Sequence, residues 1–385
     1  MLIQNVVLHP VSSPVIERGY LLIEGAKIAR LGPMSEWDGD AGDDSFAGLH
    51  VYPGLVDAHS HLGMFGDSLG AEGEDGNEET DPTTPHLRAI DAVNAMDRGF
   101  SEALDYGVTT VVTGPGSANP ISGQMAALKT AGVCVDDMVI EPFIAMKFAL
   151  GENPKNVYAH RSQTPTTRMA TAAVIREQLH RAKRYGEDLE AFEKDEEGEL
   201  DPPEYDAKCE ALLPVLRGEV AAHFHAHRAD DLFTAVRIAR EFSLRAVIIH
   251  GTEGHLIAER LAHTGIPVVC GPVIGTRSKP ELSAMSRENP AVLSKNGVKI
   301  AVCTDHPEVP EEFLMLSAAI CRREGLPPEA AIRAVTLGAA EIIGLDARIG
   351  SLEAGKDADL VFYRGDPLGG LEKPEAVFVD GVRVR

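Results

Sequence analysis

Two histidines one residue apart, His59 and His61 in VDAHSHLG, are where chemistry first suggests itself in this chain. Strand side chains alternate faces, so both imidazoles project to one side while Ser60 faces the other. A pair so placed at the end of a strand can hold one metal ion between its rings. Groups able to bind metal recur at the ends of later apolar runs. Lys147 ends VIEPFIAM, His223, His225 and His227 close GEVAAHFHAH, His250 closes RAVIIH, and Asp305 closes VKIAVCT. One such coincidence carries little weight. Five strands that each end in a metal-competent side chain point to metal-assisted chemistry at one end of a sheet.

The elements that must position these groups follow from hydrophobic rhythm. Apolar, β-branched runs recur as VYPGLVDAH, GVTTVVTG, DMVIEPFIAMKFAL, GEVAAHFHAH, LRAVIIHG, IPVVCG and VKIAVCTD, with an eighth at SGQMAALKT. Stretches of helical period, such as LFTAVRIAREF and LIAERLAH, separate most of them. Buried strands alternating with amphipathic helices predict a parallel sheet covered by helices, and eight strands would close a barrel. Residues 1–50 and 348–385 instead alternate apolar and polar residues between turn signals, Asp380-Gly381 among them. The two ends are therefore expected to build one small β domain together, a sandwich beside a barrel formed by 51–347. Residues 66–85, acidic and glycine-rich, predict a long loop after the first barrel strand. Residues 151–215, part helical and part charged, read as an excursion between strands, either solvated surface or a lid.

Composition narrows the function. Lysine and arginine number 36 against 59 acidic residues, a formal charge of −23, which repels nucleic acid and anionic membrane. Five dispersed cysteines with no CxxC pair read as reduced, packed thiols. No run of 18 apolar residues occurs and the first twenty residues lack a signal-peptide pattern, so a cytoplasmic enzyme with a small-molecule substrate is expected. It can be a homo-oligomer; the sequence is silent on that.

The residues Pro53-Gly54-Leu55-Val56-Asp57-Ala58-His59-Ser60-His61, Gly107-Val108-Thr109-Thr110-Val111, His225, His250-Gly251, Thr304-Asp305 and the tail from Gly350 to Val361 resemble the amidohydrolase superfamily. The branch is that of imidazolonepropionase-related hydrolases and Xaa-Pro dipeptidases. The match spans nearly the whole chain and is least familiar across 151–215. It implies a distorted (β/α)8 barrel with a small β-sandwich and one or two divalent metals, zinc in the first instance. His59, His61 and Asp305 would hold the more buried ion, His225 and His250 the second. Lys147 would bridge them as an N6-carboxylated side chain, since an ammonium beside two dications is repelled whereas a carbamate offsets their charge. Lys155, beyond the strand end, is the weaker candidate. Alternation puts His223, His225 and His227 on one face, so pattern alone leaves the ligand open; position in the family favours His225.

The implied reaction is hydrolysis of an amide, cyclic amide or peptide-like C–N bond by metal-activated water, with Asp305 as general base and then general acid. A mononuclear deaminase of the same superfamily is the alternative. Deaminases place a Glu just after the fifth-strand His, and HAHRADD has none. A barrel that serves only as an interaction module is the third reading, but such relatives lose their ligands. Asp230 and Asp231 are expected to cap a helix; His86, His255 and His306 are expected at loops or turned away, and Asn119 to serve turn geometry or touch substrate.

Overall fold

The computed structural model describes residues 1–66, 69–369 and 372–385. Among these described residues fifteen strands fall into two sheets. Strands β1 (Leu2–Leu8), β2 (Ile16–Glu24), β3 (Lys27–Pro33) and β4 (His50–Pro53) come from the start of the chain. Eight central strands follow: β5 (Leu55–Ser60), β6 (Val108–Thr113), β7 (Ile121–Lys129), β8 (Val139–Ala149), β9 (Ala221–Ala226), β10 (Ala246–His250), β11 (Val268–Cys270) and β12 (Ile300–Val302). The chain ends with β13 (Leu360–Tyr363), β14 (Ala376–Val379) and β15 (Val382–Arg383). The terminal strands hydrogen-bond as one seven-stranded sheet in the order β15-β14-β13-β4-β1-β2-β3. The central eight run in sequence order from β5 to β12.

The apolar run VYPGLVDAH, read as one strand, is two. It breaks at Gly54: β4 pairs with β1 and β13, and β5 pairs with β6. A Cβ at Gly54 would lie 2.0 Å from Thr109 Oγ1, so the chain crosses between the sheets where no side chain fits.

The central sheet departs from the parallel expectation at β7, which is antiparallel to both β6 and β8. The reason is connection length. A parallel neighbour needs a crossover of a dozen or more residues, and only residues 114–120 separate β6 from β7. Two successive reversals return β8 to the direction of β6, which sets Lys147 at the same end as His59.

The barrel closes by loop rather than by a ladder. Asp305 N donates to the His59 carbonyl at 3.3 Å and His61 N to the His306 carbonyl at 2.8 Å. Lower down, Val56 N and Val302 N turn instead to the carbonyls of Val335 and Ala334, which wedge between β5 and β12. One buried apolar cluster draws on all eight strands, with Val56, Val112, Met125, Ala145, Ala221, Ile249, Val269 and Ala301 among its members, so it is the barrel interior. The helix Leu337–Ile343 packs into the same cluster.

Much of 151–215 belongs to the outer layer. The helix Arg168–Glu193 starts at Thr167, whose hydroxyl caps Ala170 N at 3.1 Å. Its face of Thr171, Ile175, Leu179 and Ala182 is buried against the barrel, worth about 1.5–3 kcal/mol for each of the two largest side chains. The charged stretch after it is exposed, with residues 195–206 forming no helix. Among the described residues no helix is long and apolar enough to cross a membrane.

The candidate metal centre

Alternation along β10 sends Val247 and Ile249 inward and should turn His250 toward the helices. It does not, because His250 adopts φ 73 and swings into the barrel mouth. Asp305 is likewise left-handed, at φ 58. Such backbone costs about 1–2 kcal/mol per residue, and His and Asp are among the side chains that tolerate it best. In β5 a register shift between Asp57 and Ser60 re-aims the end of the strand, carrying His59 inward although Val56 and Ala58 already face the interior.

His59, His61, Lys147, His225 and His250 are buried, and Asp305 is nearly so. Lys147 Nζ lies 3.1 Å from His59 Nε2, and Asp305 Oδ1 lies 3.5 and 3.4 Å from Nε2 of His59 and His61. One metal-competent group comprises His59, His250 and Asp305; a second comprises His225, His227 and His250, with ligand atoms within 4.8 Å of one another in each. His250 belongs to both, so the site is continuous.

The second layer of contacts fits a cation. Nδ1 of His61 and His250 meets the carbonyls of Gly114 and Gly271 at 2.7 and 2.8 Å. Nδ1 of His225 and His227 meets the hydroxyls of Ser117 and Thr252 at 2.9 and 2.7 Å. Partners at Nδ1 leave the four Nε2 atoms for the interior, the arrangement by which metal-binding imidazoles are oriented. Asp305 Oδ1 and His227 Nε2 are buried with no hydrogen-bond partner. Orphaned polar atoms of this kind are costly, and a bound ion or substrate would relieve them.

Ring geometry separates His225 from His227. The His227 ring stacks on His250, with planes 10° apart, whereas His225 stands at 81° to His250. A ligand nitrogen binds along a lone pair in its own ring plane. Perpendicular planes intersect and parallel ones do not, so the ring angles favour His225 over His227 beside His250, while the ligand atoms of all three lie within 4.8 Å of one another. His223 sits in register beside Lys147, fully buried, with neither ring nitrogen partnered.

Burial dominates the electrostatics. It pushes Lys147 down to about 8 and His250 down to about 4, and holds His59 and His225 well below the ordinary imidazole value. These rings are therefore neutral at pH 7, the form that binds metal. Burial would raise Asp305, but the imidazoles of His250, His59 and His61 outweigh it and hold the carboxyl well below the usual range.

Above the site opens a cavity of about 770 Å3, whose lining includes His61, His225, His227, His250 and Asp305. Phe65 and Asn77 also line it, so the acidic loop after β5 contributes to the mouth. The reversal between β6 and β7 supplies Ser117, the helix after β8 supplies Asn153, and residues 271–285 form much of one wall.

Other expectations fare unevenly. Asn119 is buried: its amide donates to the Glu78 carbonyl and Thr84 Oγ1, and its oxygen accepts from Tyr158. It ties loops together. Asp230 and Asp231 lie in the first turn of the helix Ala229–Glu241, not at its cap; Asp231 accepts both its bonds from Arg168. His86 is exposed, and His255 is half-buried beside Asn289. His306 Nδ1 accepts from Glu311 N at 3.3 Å.

Sequence reasoning missed Ser117, Thr252, Asn153, Lys279 and Glu281, which lie in loops or short helical turns with no periodic signal. It also missed a buried pair behind Asp305. Asp57 accepts from the amide and hydroxyl of Thr304 (2.8 and 2.7 Å), and that hydroxyl also lies 2.7 Å from Glu311. Burial pushes Asp57 up to about 6, and burial together with the neighbouring Asp57 holds Glu311 well above its ordinary value.

Comparison with known proteins agrees with this architecture. Residues 217–384 match the model of the amidohydrolase family. A solved amidohydrolase from Thermotoga maritima MSB8 is 43% identical, superposes with a TM-score of 0.95, and is covered over 99% of its length by 100% of this chain. The amidohydrolase tasK of Hapsidospora irregularis is 31% identical over 95% of this chain, which spans 39% of that larger protein. An imidazolonepropionase of Maricaulis maris (strain MCS10) is 27% identical over 91% of this chain and 88% of its own.

Proposed function

The chain belongs to the amidohydrolase family, and from that premise we propose that it is a metal-dependent hydrolase of an amide, cyclic amide or peptide-like C–N bond in a small molecule. One observation carries the reading: side chains from β5, β8, β9 and β10, with Asp305 beyond β12, meet at one end of the barrel beneath a single cavity. His59, His61 and Asp305 would hold one divalent ion, zinc in the first instance, and His225 and His250 a second. Lys147 would join the two as a carbamate; its depressed value favours the neutral amine that reacts with carbon dioxide. Bound there, such ions supply Lewis acidity, polarising a carbonyl and acidifying water.

The chain's own groups do the rest. Asp305, held ionised among the imidazoles, takes the proton of the attacking water on its carboxylate and returns it to the departing nitrogen. Ser117 and the carbonyls of Gly114 and Gly271 fix the imidazole planes. Phe65, Ile274 and Leu282 give the cavity apolar walls that limit water around the reacting bond.

The test is to strip purified protein with a chelator, restore zinc, cobalt or manganese, and screen cyclic amides, N-acyl amino acids and dipeptides. Metal uptake of one to two equivalents with activity that tracks it is expected. A protein that takes up no divalent metal would end the reading. One equivalent with ammonia released from an aminated ring would favour the deaminase instead.

A further inference from the structure

The cavity wall formed by residues 271–285 carries a feature that metal chemistry does not use. Among the described residues, Lys279 is the one lysine or arginine lining the cavity, in a chain whose net charge is −23. Its ammonium is held in place: Nζ lies 2.9 Å from Glu281 Oε1 and donates to Asn153 Oδ1 at 3.1 Å. Glu281 is fixed in turn. It is 1% exposed, its Oε2 accepts from Glu152 N at 3.0 Å, and its own N–H donates to Glu152 Oε2 at 3.1 Å. This reciprocal clasp ties the wall to the helix that starts beyond β8.

An ammonium has three donors; one goes to Asn153, and Glu281 Oε1 faces it as an ion-pair partner that itself has no hydrogen bond. About a quarter of the Lys279 side chain is open on the cavity. Glu281 offsets the charge of Lys279 and Asn153 takes one donor, which leaves N–H capacity to be answered by whatever enters. Asn153 measures how near that point is to the reacting centre. Its amide nitrogen is 3.4 Å from His225 Nε2 while its oxygen holds Lys279, so one amide group spans the interval. The neighbouring wall residues Ile274, Leu282 and Met285 are apolar.

We propose that Lys279 is the anchor for a carboxylate carried by the substrate a few bonds from the scissile carbonyl, with an apolar side chain packed on Ile274, Leu282 and Met285. Acyl amino acids and dipeptides with a free carboxylate and an aliphatic side chain have this form. The assignment rests on the hydrolase reading of the same cavity and narrows its substrate. Glu281 is a positioning residue that aims the ammonium.

The test uses a matched pair of probes, N-acetyl-L-leucine and N-acetyl-L-leucinamide, titrated calorimetrically into the metal-loaded full chain. The proteins are the wild type, Lys279→Met, which keeps the aliphatic stem, and Lys279→Arg, which keeps the charge. A hydrogen bond to a charged group predicts that wild type binds the acid about ten- to a hundredfold more tightly than the amide. Lys279→Met should abolish that preference and Lys279→Arg restore part of it, with metal content and thermal midpoint the same in all three. Equal binding of acid and amide by wild type, binding of neither, a preference that survives Lys279→Met, or equal loss of both probes in that variant would each overturn the assignment. Hydrolysis of the same pair separates the two readings: a Lys279-dependent preference in binding without metal-dependent cleavage of any amide would sink the hydrolase and leave the carboxylate site standing.

Discussion

Replacing Asp305 by Asn isolates proton transfer from every other duty of that residue. Asn is isosteric with Asp and tolerates the left-handed backbone observed there, so φ 58 adds no new strain. Its side-chain oxygen can keep the position 3.5 and 3.4 Å from His59 and His61, where the native oxygen has no hydrogen-bond partner. What disappears is a carboxylate that can accept a proton and give it back. Positioned acid–base groups contribute about 10²–10⁴-fold, which is about 2.7–5.4 kcal/mol of transition-state stabilisation. Among the described residues Asp305 is the one carboxylate in the two metal-competent groups. The assay is kcat and KM on the best substrate of the screen, with metal per chain measured on the same sample. Asp305→Asn should lose kcat by that factor while retaining at least one equivalent of metal. Turnover within tenfold of wild type at full metal content would refute the proton-transfer role. Loss of the metal itself would show that Asp305 acts chiefly as a ligand.

Three further outcomes are expected. Ser117→Ala removes the oxygen that orients His225 Nδ1 and should weaken metal affinity about 10–100-fold, read by competition with a chromogenic chelator; unchanged affinity would argue against His225 as a ligand. Lys129→Met strips the cation from buried Asp359, which it contacts at 2.5 Å, while Asp357 keeps Lys27 and Arg348, and should destabilise the protein by about 3–5 kcal/mol in urea unfolding. A loss below about 1 kcal/mol would show that this cluster does not hold the terminal sheet to the barrel. Burial lowers His9 to about 4, from an ordinary 6.5. Between those values the unfolded chain binds the proton and the native one does not, so the contribution of His9 makes stability fall as pH drops from 6.5 to 4. His9→Phe, which keeps the stacking on Tyr52, should flatten that slope when urea midpoints at pH 5 and 7 are compared; an unchanged slope would contradict it.

The barrel strands, the β character of both ends and the six candidate ligands are legible in the sequence, because burial on two faces demands continuous apolar runs and ligands stand at their ends. Alternation could say that His59 and His61 share a face, but not that a register shift is needed to turn them inward. For His250 alternation gives the wrong face, and only a left-handed backbone brings it to the site. Nor could a string of residues say that β7 would run backwards, although the short connection before it contained the reason. The ring angles that favour His225 over His227 were closed to sequence, because they arise between rings on neighbouring strands. Lys279, Glu281 and Asn153 lay beyond reach for a plainer cause: the first two share one wall segment and Asn153 starts a helix more than a hundred residues earlier, and no local period announces such a pairing. Local pattern determined which side chains were available for chemistry; long-range packing decided which way they point and what stands behind them.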